Sequence, residues 1–254
     1  MFPASITNNL KTCFVGQRVI YYPTVTSTMD IAKREARQGT AEGTVIVAGK
    51  QTVGRGRRQR TWLSPEGSLA LSIILYPNVV YLPSLIMLAS LAAVHGIEAA
   101  TGLKAQIKWP NDVLINGKKV CGILIENEVR GNIVDYAIIG IGINVNLKLS
   151  DFPEILPTAT SLSDELGRDV PMLDVIQQLL IEVERLYLAL LAGESVYEEW
   201  RDRLVTLGKR IQVKSGDIVC RGIAESVAQD GSLLLRHSDG RLIKIVAGDA
   251  TLRD

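Results

Sequence analysis

Apolar residues fall into short runs separated by polar turns, and the spacing within each run predicts its structure. In the first third of the chain, three runs rich in Val, Ile, Leu and Tyr are bounded by Gly, Pro or Ser, a pattern typical of β-strands. These runs are Gln17–Tyr22, Thr44–Ala48 and Ser68–Tyr76. Helix-forming residues over Thr28–Ala36 predict a helix, which Ser27 is expected to cap, with Asp30 three residues further on. This part of the chain is therefore predicted to form sheet strands with a helix between the first two.

A buried helix and an antiparallel meander are predicted next. Pro83 can occupy a first helical turn, and the apolar run that follows it ends at Gly102, so a glycine terminates this helix. Asp112–Asn146 alternates apolar runs with the dipeptides Asn116-Gly117 and Gly131-Asn132, both typical of hairpin turns. The meander is predicted from these two turns.

A helical pair precedes a change of composition. Residues 171–192 carry apolar side chains at three- and four-residue steps, which predicts an amphipathic helix, and a shorter helix is expected around Ser195–Leu204. From Gly208 onward the chain consists of short β-like runs, namely Ile211–Lys214, Ile218–Ala228, Ser232–His237 and Leu242–Val246. Such closely spaced strands predict a small barrel of about five strands. We therefore expect a large domain over residues 1–205 and a small one over 206–254.

Composition and charge narrow the classes of function. Hydrophobic residues make up 47% and charged residues 22% of the chain, the balance of a folded soluble protein. The 28 Lys and Arg residues and the 27 Asp and Glu residues nearly cancel. No overall field would hold such a protein on nucleic acid or on an anionic membrane, so any charge-driven chemistry is local.

The cysteines, the histidines and the N-terminal segment exclude further classes. Cys13, Cys121 and Cys220 form no C-x-x-C pair, which favours a reducing compartment. The first residues lack the basic and apolar regions of a signal peptide, and the apolar stretch Leu82–Val94 is shorter than the ~20 residues that span a bilayer. A cytoplasmic protein is therefore predicted. The 2 histidines stand outside any ligand cluster or catalytic motif, which argues against a zinc site and against serine-histidine catalysis.

Positive charge is concentrated in one stretch. Between Thr44 and Pro65 the chain has no carboxylate, but it has five cations: Lys50, Arg55, Arg57, Arg58 and Arg60. Glycines alternate with the arginines; glycine allows close backbone approach, and guanidinium groups bind carboxylate or phosphate bidentately. A solvated loop or a nucleic-acid contact is the alternative interpretation. Trp62 and the flanking strands favour a lid anchored between core strands.

A second polar concentration lies in Lys108–Asp112, a proline-containing turn after an expected strand. Its lysine can neutralise developing phosphate charge, while Asn111 or Asp112 orients the phosphate or binds magnesium; a plain turn is the alternative. The glycines of Gly140–Asn146 resemble a dinucleotide-binding fingerprint only superficially, because the residues look strand-like and no helix follows. A Rossmann domain is therefore excluded.

The order and spacing of these motifs closely resemble biotin protein ligase. The resemblance spans roughly residues 17–150 and 206–254, and it is carried by Thr26–Thr28, Gln51–Trp62, Ser64–Gly67, Lys108–Asp112, Lys119–Glu126 and Gly140–Val145. It implies an α+β fold: a mixed β-sheet catalytic domain with flanking helices, like that of class II aminoacyl-tRNA synthetases, followed by an SH3-like β-barrel. It also implies that biotin and ATP, with Mg2+, form biotinyl-AMP and pyrophosphate. The biotin then passes to a lysine of a biotin carboxyl carrier protein.

The resemblance also assigns roles to single residues. Ser27, Thr28 and Gln51 match polar contacts to the biotin ring, while Lys108 matches the family's essential lysine and is expected to be catalytic together with Arg57. The other implied contacts to biotin or its adenylate are Gly54, Arg55, Gly56, Trp62 and Gly122, and those to the nucleotide are Arg60, Asn111 and Asn144. Met29 stands where the family often has asparagine, so that side chain offers no hydrogen bond to the ureido ring.

Competing functions are weighed against this one. About sixteen residues precede the first predicted strand, too few for a helix-turn-helix domain, so a DNA-binding repressor is not expected. Lipoate ligase resembles this fold and chemistry, but the arginine-glycine loop has the biotin-type form. An inactive nucleotide- or RNA-binding module would explain the arginines but not Lys108. A homodimer formed through strand edges stays open, as does the identity of the carrier.

Overall fold

Two β-sheets organise the chain, of which a computed structural model describes residues 3–252. The strands of the first sheet are β1 Val19–Val25, β2 Val45–Gln51, β3 Ser68–Leu75, β4 Gln106–Lys108, β5 Asp112–Ile115, β6 Lys118–Arg130 and β7 Ile133–Asn144. They lie in the order β1-β2-β3-β7-β6-β5-β4. β1 and β2 are parallel, and the other neighbouring pairs are antiparallel, so this sheet is mixed.

Helices cover both faces of the first sheet. They are α1 Pro3–Thr7, α2 Thr28–Arg37, α3 Leu85–Thr101, α4 Leu162–Leu166, α5 Met172–Leu191 and α6 Tyr197–Asp202, with 3-10 turns at Arg57–Gln59, Val79–Ser84 and Leu149–Asp151. Successive strand residues point to opposite faces. Accordingly, Val45 and Val47 join the large core under α3 and α5, whereas Ile46 joins the smaller cluster under α2.

The local predictions for this part of the chain are confirmed. Each predicted strand, the helix after Ser27, the long apolar helix and the amphipathic helix are present within a few residues of the expected bounds. The meander is present as β5, β6 and β7. Asn116 and Gly117 have φ values of 50° and 79°, which the turn between β5 and β6 requires.

The length expected for the apolar stretch near α3 was wrong. Val79–Thr101 is a continuous helical stretch of 23 residues whose most apolar window has a mean hydropathy of 1.8, so it is long and apolar enough to cross a membrane by length and composition. However, 61% of its most apolar window is buried inside the protein, because α5 and the sheet pack against it. The stretch therefore has the surroundings of a core helix.

The second sheet is antiparallel and shares the large core. Its strands are β8 Arg210–Ser215, β9 Ile218–Val227, β10 Leu233–Arg236, β11 Leu242–Ile245 and β12 Asp249–Leu252, in the order β11-β10-β9-β8-β12. Trp109, between β4 and β5, is buried, and its indole N–H donates to the carbonyl oxygen of Gly231, 2.9 Å away. The second sheet therefore helps to fix the turn that carries Lys108. The domain boundary at residue 206 stays a prediction.

A cluster of charges joins three helices on the side away from α2. His95 of α3 lies between Glu182 of α5, with Nδ1 3.1 Å from Oε2, and Glu199 of α6, with Nε2 2.7 Å from Oε1. The hydrogen bond that His95 donates to Glu182 raises the pKa of His95 above its usual value, and the negative charge of Glu199 adds to this. The same hydrogen bond from His95 lowers the pKa of Glu182 to about 2.

We expect His95→Gln to destabilise the protein more in mildly acidic than in alkaline solution. A group whose pKa is raised by folding contributes stability below its unfolded pKa of about 6.5 and loses it as the pH rises through the folded value. Urea unfolding of parent and variant at about pH 5.5 and about pH 9 measures the difference. Equal loss of unfolding free energy at both pH values would show that protonated His95 does not hold the three helices together.

Candidate active site

A cavity lies on the α2 face of the first sheet, next to the N-terminal end of α2. Its floor consists of small residues in register on neighbouring strands. Gly142 of β7 pairs with Ala70 of β3 on one side and with Gly122 of β6 on the other. Gly140 precedes Gly142 by two residues on the same strand and therefore lies on the same face. Larger side chains at these positions would fill the space above the sheet. The cavity therefore exists because glycine and alanine occupy these positions.

Trp62 lines the cavity above this floor. Its indole lies so close to Gly142 that a Cβ added there would be 2.5 Å from Nε1, so no other residue type fits without movement. Gly54 lies behind Trp62: it accepts the Trp62 backbone N–H at 2.9 Å, and a Cβ at Gly54 would overlap the Trp62 carbonyl oxygen. Lys119 Nζ is 5.3 Å from the ring centroid, a cation–π distance.

The ends of β2 and α2 bring Ser27, Thr28 and Gln51 together at the cavity. The predicted cap by Ser27 is wrong: the residue takes the N-cap position with an extended backbone, but its hydroxyl does not bond to the helix. This buried hydroxyl has no hydrogen-bond partner within residues 3–252. Leaving a buried hydroxyl unpaired costs about 1–3 kcal/mol. A ligand group that bonds to Ser27 would therefore be favoured.

Met29 fills space beside the same residues. It is buried, and a Cβ added at Gly140 would lie 2.5 Å from its Sδ. Its neighbours Ala32, Ile46 and Ile138 form the apolar cluster under α2. An asparagine at position 29 would place a polar amide against that cluster. Met29 offers no hydrogen bond to the ureido ring, but it packs better against the cluster than asparagine would.

A carboxylate between two lysines also lines the cavity. Lys119 Nζ lies 2.5 Å from Asp112 Oδ1, and Lys108 Nζ lies 3.6 Å from Asp112 Oδ2. The three residues belong to the adjacent strands β4, β5 and β6, whose pairing holds them together. Two ammonium groups against one carboxylate leave a local positive charge. An incoming phosphate or carboxylate would be attracted to it.

The arginine-glycine loop covers the cavity and is called the lid, residues 52–61. Arg55 is held by two carboxylates, with Nη2 2.9 Å from Asp30 and 3.0 Å from Glu126. Among the described residues, Arg57 has no carboxylate within ion-pair distance; it donates to Asn111 Oδ1 at 3.0 Å. Burial lowers the pKa of Arg57, although the guanidinium stays charged. A desolvated cation without an ion-pair partner is the member of the lid best placed to bind an anion.

The second sheet holds the lid through ion pairs and hydrogen bonds to its arginines. Arg60 Nη2 lies 2.7 Å from Asp249 Oδ2, and Arg58 donates to the Lys214 carbonyl at 2.6 Å and to Ser215 Oγ at 3.2 Å. Arg58 has a φ of 54°, in the left-handed region that arginine rarely adopts. Its bonds to the second sheet offset this strain. The sequence predicted no contribution of residues 206–254 to the lid.

Asp249→Asn should open the lid more often. The substitution keeps the shape of the side chain but removes the charge that attracts Arg60, and an exposed ion pair contributes up to about 1 kcal/mol. We therefore expect trypsin to cleave after the lid arginines roughly two- to fivefold faster. Asp239→Asn breaks a pair with Arg241 in the same sheet and is the matched control. If trypsin cleaved the lid of both variants at the same rate, the ion pair between Asp249 and Arg60 would not hold the lid closed.

The structure brings most of the predicted site residues together. Those that line the cavity are Ser27, Thr28, Gln51, Arg55, Gly56, Arg57, Arg60, Trp62, Lys108, Asn111 and Gly122. Gly54 and Asn144 do not line it: Gly54 supports Trp62, and Asn144 donates its amide to the Thr160 carbonyl at 2.9 Å. Sequence reasoning did not single out Lys119, which stands in a motif of the resemblance, or Asp249, for which the chain carries no local signal.

Known proteins are similar to this chain over most of its length. The Biotin/lipoate A/B protein ligase family matches residues 21–144, and the biotin protein ligase C terminal domain matches residues 206–253. The bifunctional ligase/repressor BirA of Bacillus subtilis is 39% identical over 98% of this chain and 78% of that protein. The biotin–[acetyl-CoA-carboxylase] ligase of Paracoccus denitrificans is 33% identical over 78% of this chain and 86% of that protein.

A solved structure is similar over nearly the whole chain. The biotin protein ligase from Aquifex aeolicus in complex with biotin and ATP has a TM-score of 0.77 and 30% identity, and the match covers 93% of this chain and 99% of that one. Fold and sequence thus define a ligase of the biotin and lipoate class. This chain belongs to the biotin protein ligase family, whose members are enzymes of the EC 6.3.4.15 type.

Proposed function

We propose that this protein joins biotin to ATP as biotinyl-5'-AMP, releases pyrophosphate, and transfers the biotin to a specific lysine of a biotin carboxyl carrier protein. The observation that carries the proposal is the composition of one cavity. It combines an unpaired buried hydroxyl, on Ser27, with three cations on separate elements, Arg57, Lys108 and Lys119. The similar Aquifex protein in complex with biotin and ATP supports the choice of substrates.

The first step joins two anions. A carboxylate oxygen of biotin attacks the α-phosphorus of ATP, the bond to the bridging oxygen breaks, and pyrophosphate leaves with its electron pair. Arg57, Lys108 and Lys119 line the cavity where the anions would meet. Their charges would reduce the repulsion and stabilise the negative charge that builds up on the pentavalent phosphorus.

The second step needs an uncharged amine and the absence of water. The carrier lysine attacks the carbonyl carbon of the mixed anhydride, an amide bond forms, AMP leaves, and the nitrogen loses its proton. Water would hydrolyse the anhydride, so the lid has to cover it until the carrier arrives. Trp62 and Arg57 are proposed to form this cover, because both line the cavity, Arg57 as part of the lid and Trp62 directly after it in the chain.

Nucleotide and metal contacts form part of the proposal. We assign Arg60 and Asn111, which line the cavity, to the nucleotide, and leave Asn144 out because its amide is buried and bonded to Thr160. Within residues 3–252, no group of three or more His, Cys, Asp and Glu is arranged to hold a metal ion. Asp112 and Asp249 line the cavity, and one or two carboxylates fit Mg2+ that enters with ATP, since phosphates and waters supply its other ligands. When bound, Mg2+ supplies positive charge to the leaving pyrophosphate.

The finer assignments of fold and partners follow the resemblance. We assign residues 1–205 to a catalytic domain like that of class II aminoacyl-tRNA synthetases and residues 206–254 to an SH3-like barrel. A cytoplasmic location is proposed, with homodimer formation left to sedimentation experiments. The proposal covers the ligase activity and does not extend to repression.

The test uses a carrier domain with one acceptor lysine. After incubation with the protein, biotin and Mg-ATP, mass spectrometry should find one biotin on that lysine, while a carrier with arginine at this position stays unmodified. An unmodified carrier in a reaction that accumulates biotinyl-AMP would exclude the transfer step.

A further inference from the structure

Ser72 lies next to the cavity but does not line it. It stands on β3, opposite Gly140 of β7, and is completely buried. Its hydroxyl donates to Thr28 Oγ1, 2.8 Å away. The residues beside Ser72 on the same face of the sheet, Ile46 and Ile74, belong to the apolar cluster under α2, so a hydroxyl at this place is costly unless it is bonded.

The contact continues from Thr28 to Gln51. The Thr28 hydroxyl lies 3.2 Å from Gln51 Oε1, and the Thr28 backbone N–H lies 2.8 Å from the same oxygen. A hydroxyl has a single hydrogen. Because Thr28 accepts from Ser72, its own hydrogen is directed to Gln51. Ser72, Thr28 and Gln51 thus form a chain of hydrogen bonds with one direction.

The same contacts fix which way the Gln51 amide points. A backbone N–H can only donate, so the atom of Gln51 that faces Thr28 is the oxygen. The NH2 group of the Gln51 amide, Nε2, then points away from Thr28, and it donates no hydrogen bond to another residue of the described chain. Nε2 would be 3.1 Å from a Cβ at Gly54, so glycine there leaves it uncovered. Gln51 lines the cavity and offers a ligand N–H donors.

We infer that Ser72 is a positioning residue for substrate selection: through Thr28 it holds the Gln51 amide with its N–H donors available to the cavity, so that the site selects a ring bearing a hydrogen-bond acceptor. The inference rests on the proposed function, in which that acceptor is the carbonyl oxygen of biotin's cyclic urea. Ser72 itself touches no substrate, and its effect passes entirely through Thr28 and Gln51.

Ser72→Ala tests this inference. Without its donor, the Thr28 hydroxyl is free to turn away from Gln51, and the KM for biotin should rise about fivefold, the change that ~1 kcal/mol produces. The KM for ATP and kcat should not change. In 2-iminobiotin a nitrogen replaces the carbonyl oxygen and donates at neutral pH. The preference for biotin over 2-iminobiotin, measured as the ratio of kcat/KM values, should therefore fall in the variant.

Ser68→Ala is the matched control. Ser68 is on the same strand, on the same face and also buried, but its hydroxyl has no partner within residues 3–252. Ser68→Ala should keep the parent preference for biotin over 2-iminobiotin. Ser72→Thr retains the hydroxyl and should therefore keep this preference as well, unlike Ser72→Ala.

Three outcomes would overturn the inference. They are an unchanged preference in Ser72→Ala, an equal change in Ser68→Ala, and a parallel rise of the KM values for biotin and ATP. If the parent protein turns over no biotin, the proposed function fails and the inference fails with it. If the parent is active and Ser72→Ala keeps its preference, the inference alone is wrong.

Discussion

Replacing Lys108 by alanine is expected to slow formation of biotinyl-adenylate by roughly 100- to 1000-fold, while the protein stays folded and keeps much of its affinity for biotin. The ammonium group lines the cavity and lies 3.6 Å from Asp112. Its charge opposes the negative charge of the transition state more than that of the separate substrates. Single-turnover formation of the adenylate is the measurement. Formation at the parent rate would remove Lys108 from the catalytic machinery.

Lys119 and Lys118 provide the comparison within the same experiment. Lys119 is 2.5 Å from the other oxygen of Asp112, so Lys119→Ala should cause a loss of similar size. The two losses should not multiply in the double variant, because both lysines interact with one carboxylate. Lys118 is exposed and adjacent in sequence, and Lys118→Ala should react at the parent rate.

Arg57→Gly is expected to release the adenylate before the carrier reacts. Arg57 is the lid cation with no ion-pair partner among the described residues, and a charge-assisted hydrogen bond contributes about 1.5–3 kcal/mol. Its loss should speed the escape of biotinyl-AMP roughly 10- to 100-fold, with less effect on the capture of biotin. The measurement is the amount of free biotinyl-AMP in solution over time. A variant that retains the adenylate as long as the parent would contradict the role of the lid.

Limited proteolysis gives the lid a second test. Residues 52–61 are predicted to order on binding, so trypsin should cleave after the lid arginines more slowly with biotin and ATP than without them. The control is Arg130→Gly, which removes an exposed arginine outside the lid, paired with Asp135 at the tip of the β6–β7 hairpin. Cleavage after the lid arginines should slow with ligands in this variant as it does in the parent. The same cleavage rate with and without ligands would exclude ordering.

Local sequence predicted the elements, because their causes are local. Alternating apolar residues and the Asn116-Gly117 dipeptide are sufficient for β5, β6 and the turn between them, and three- and four-residue apolar spacing is sufficient for α5. The cavity floor also had a local signal. The glycines at 140 and 142 alternate along one strand, but only the pairing with Ala70 and Gly122 shows that they share a face.

The rest of the site depends on contacts between distant parts of the chain. Four lid arginines suggested mutual repulsion from the sequence, whereas Asp30, Glu126 and Asp249 offset their charges in the fold. No local pattern marks these carboxylates as partners of the lid. The failed cap at Ser27 has the same origin, since the hydroxyl that a local rule assigns to the helix is left free beside the cavity.

Release of pyrophosphate from ATP, measured with biotin, lipoate or octanoate as the only acid present, tests the central claim most directly. The site described here predicts ATP-dependent release with biotin, at a rate that Lys108→Ala reduces, and no release above background with the two other acids. Release with lipoate or octanoate but not with biotin would contradict the account.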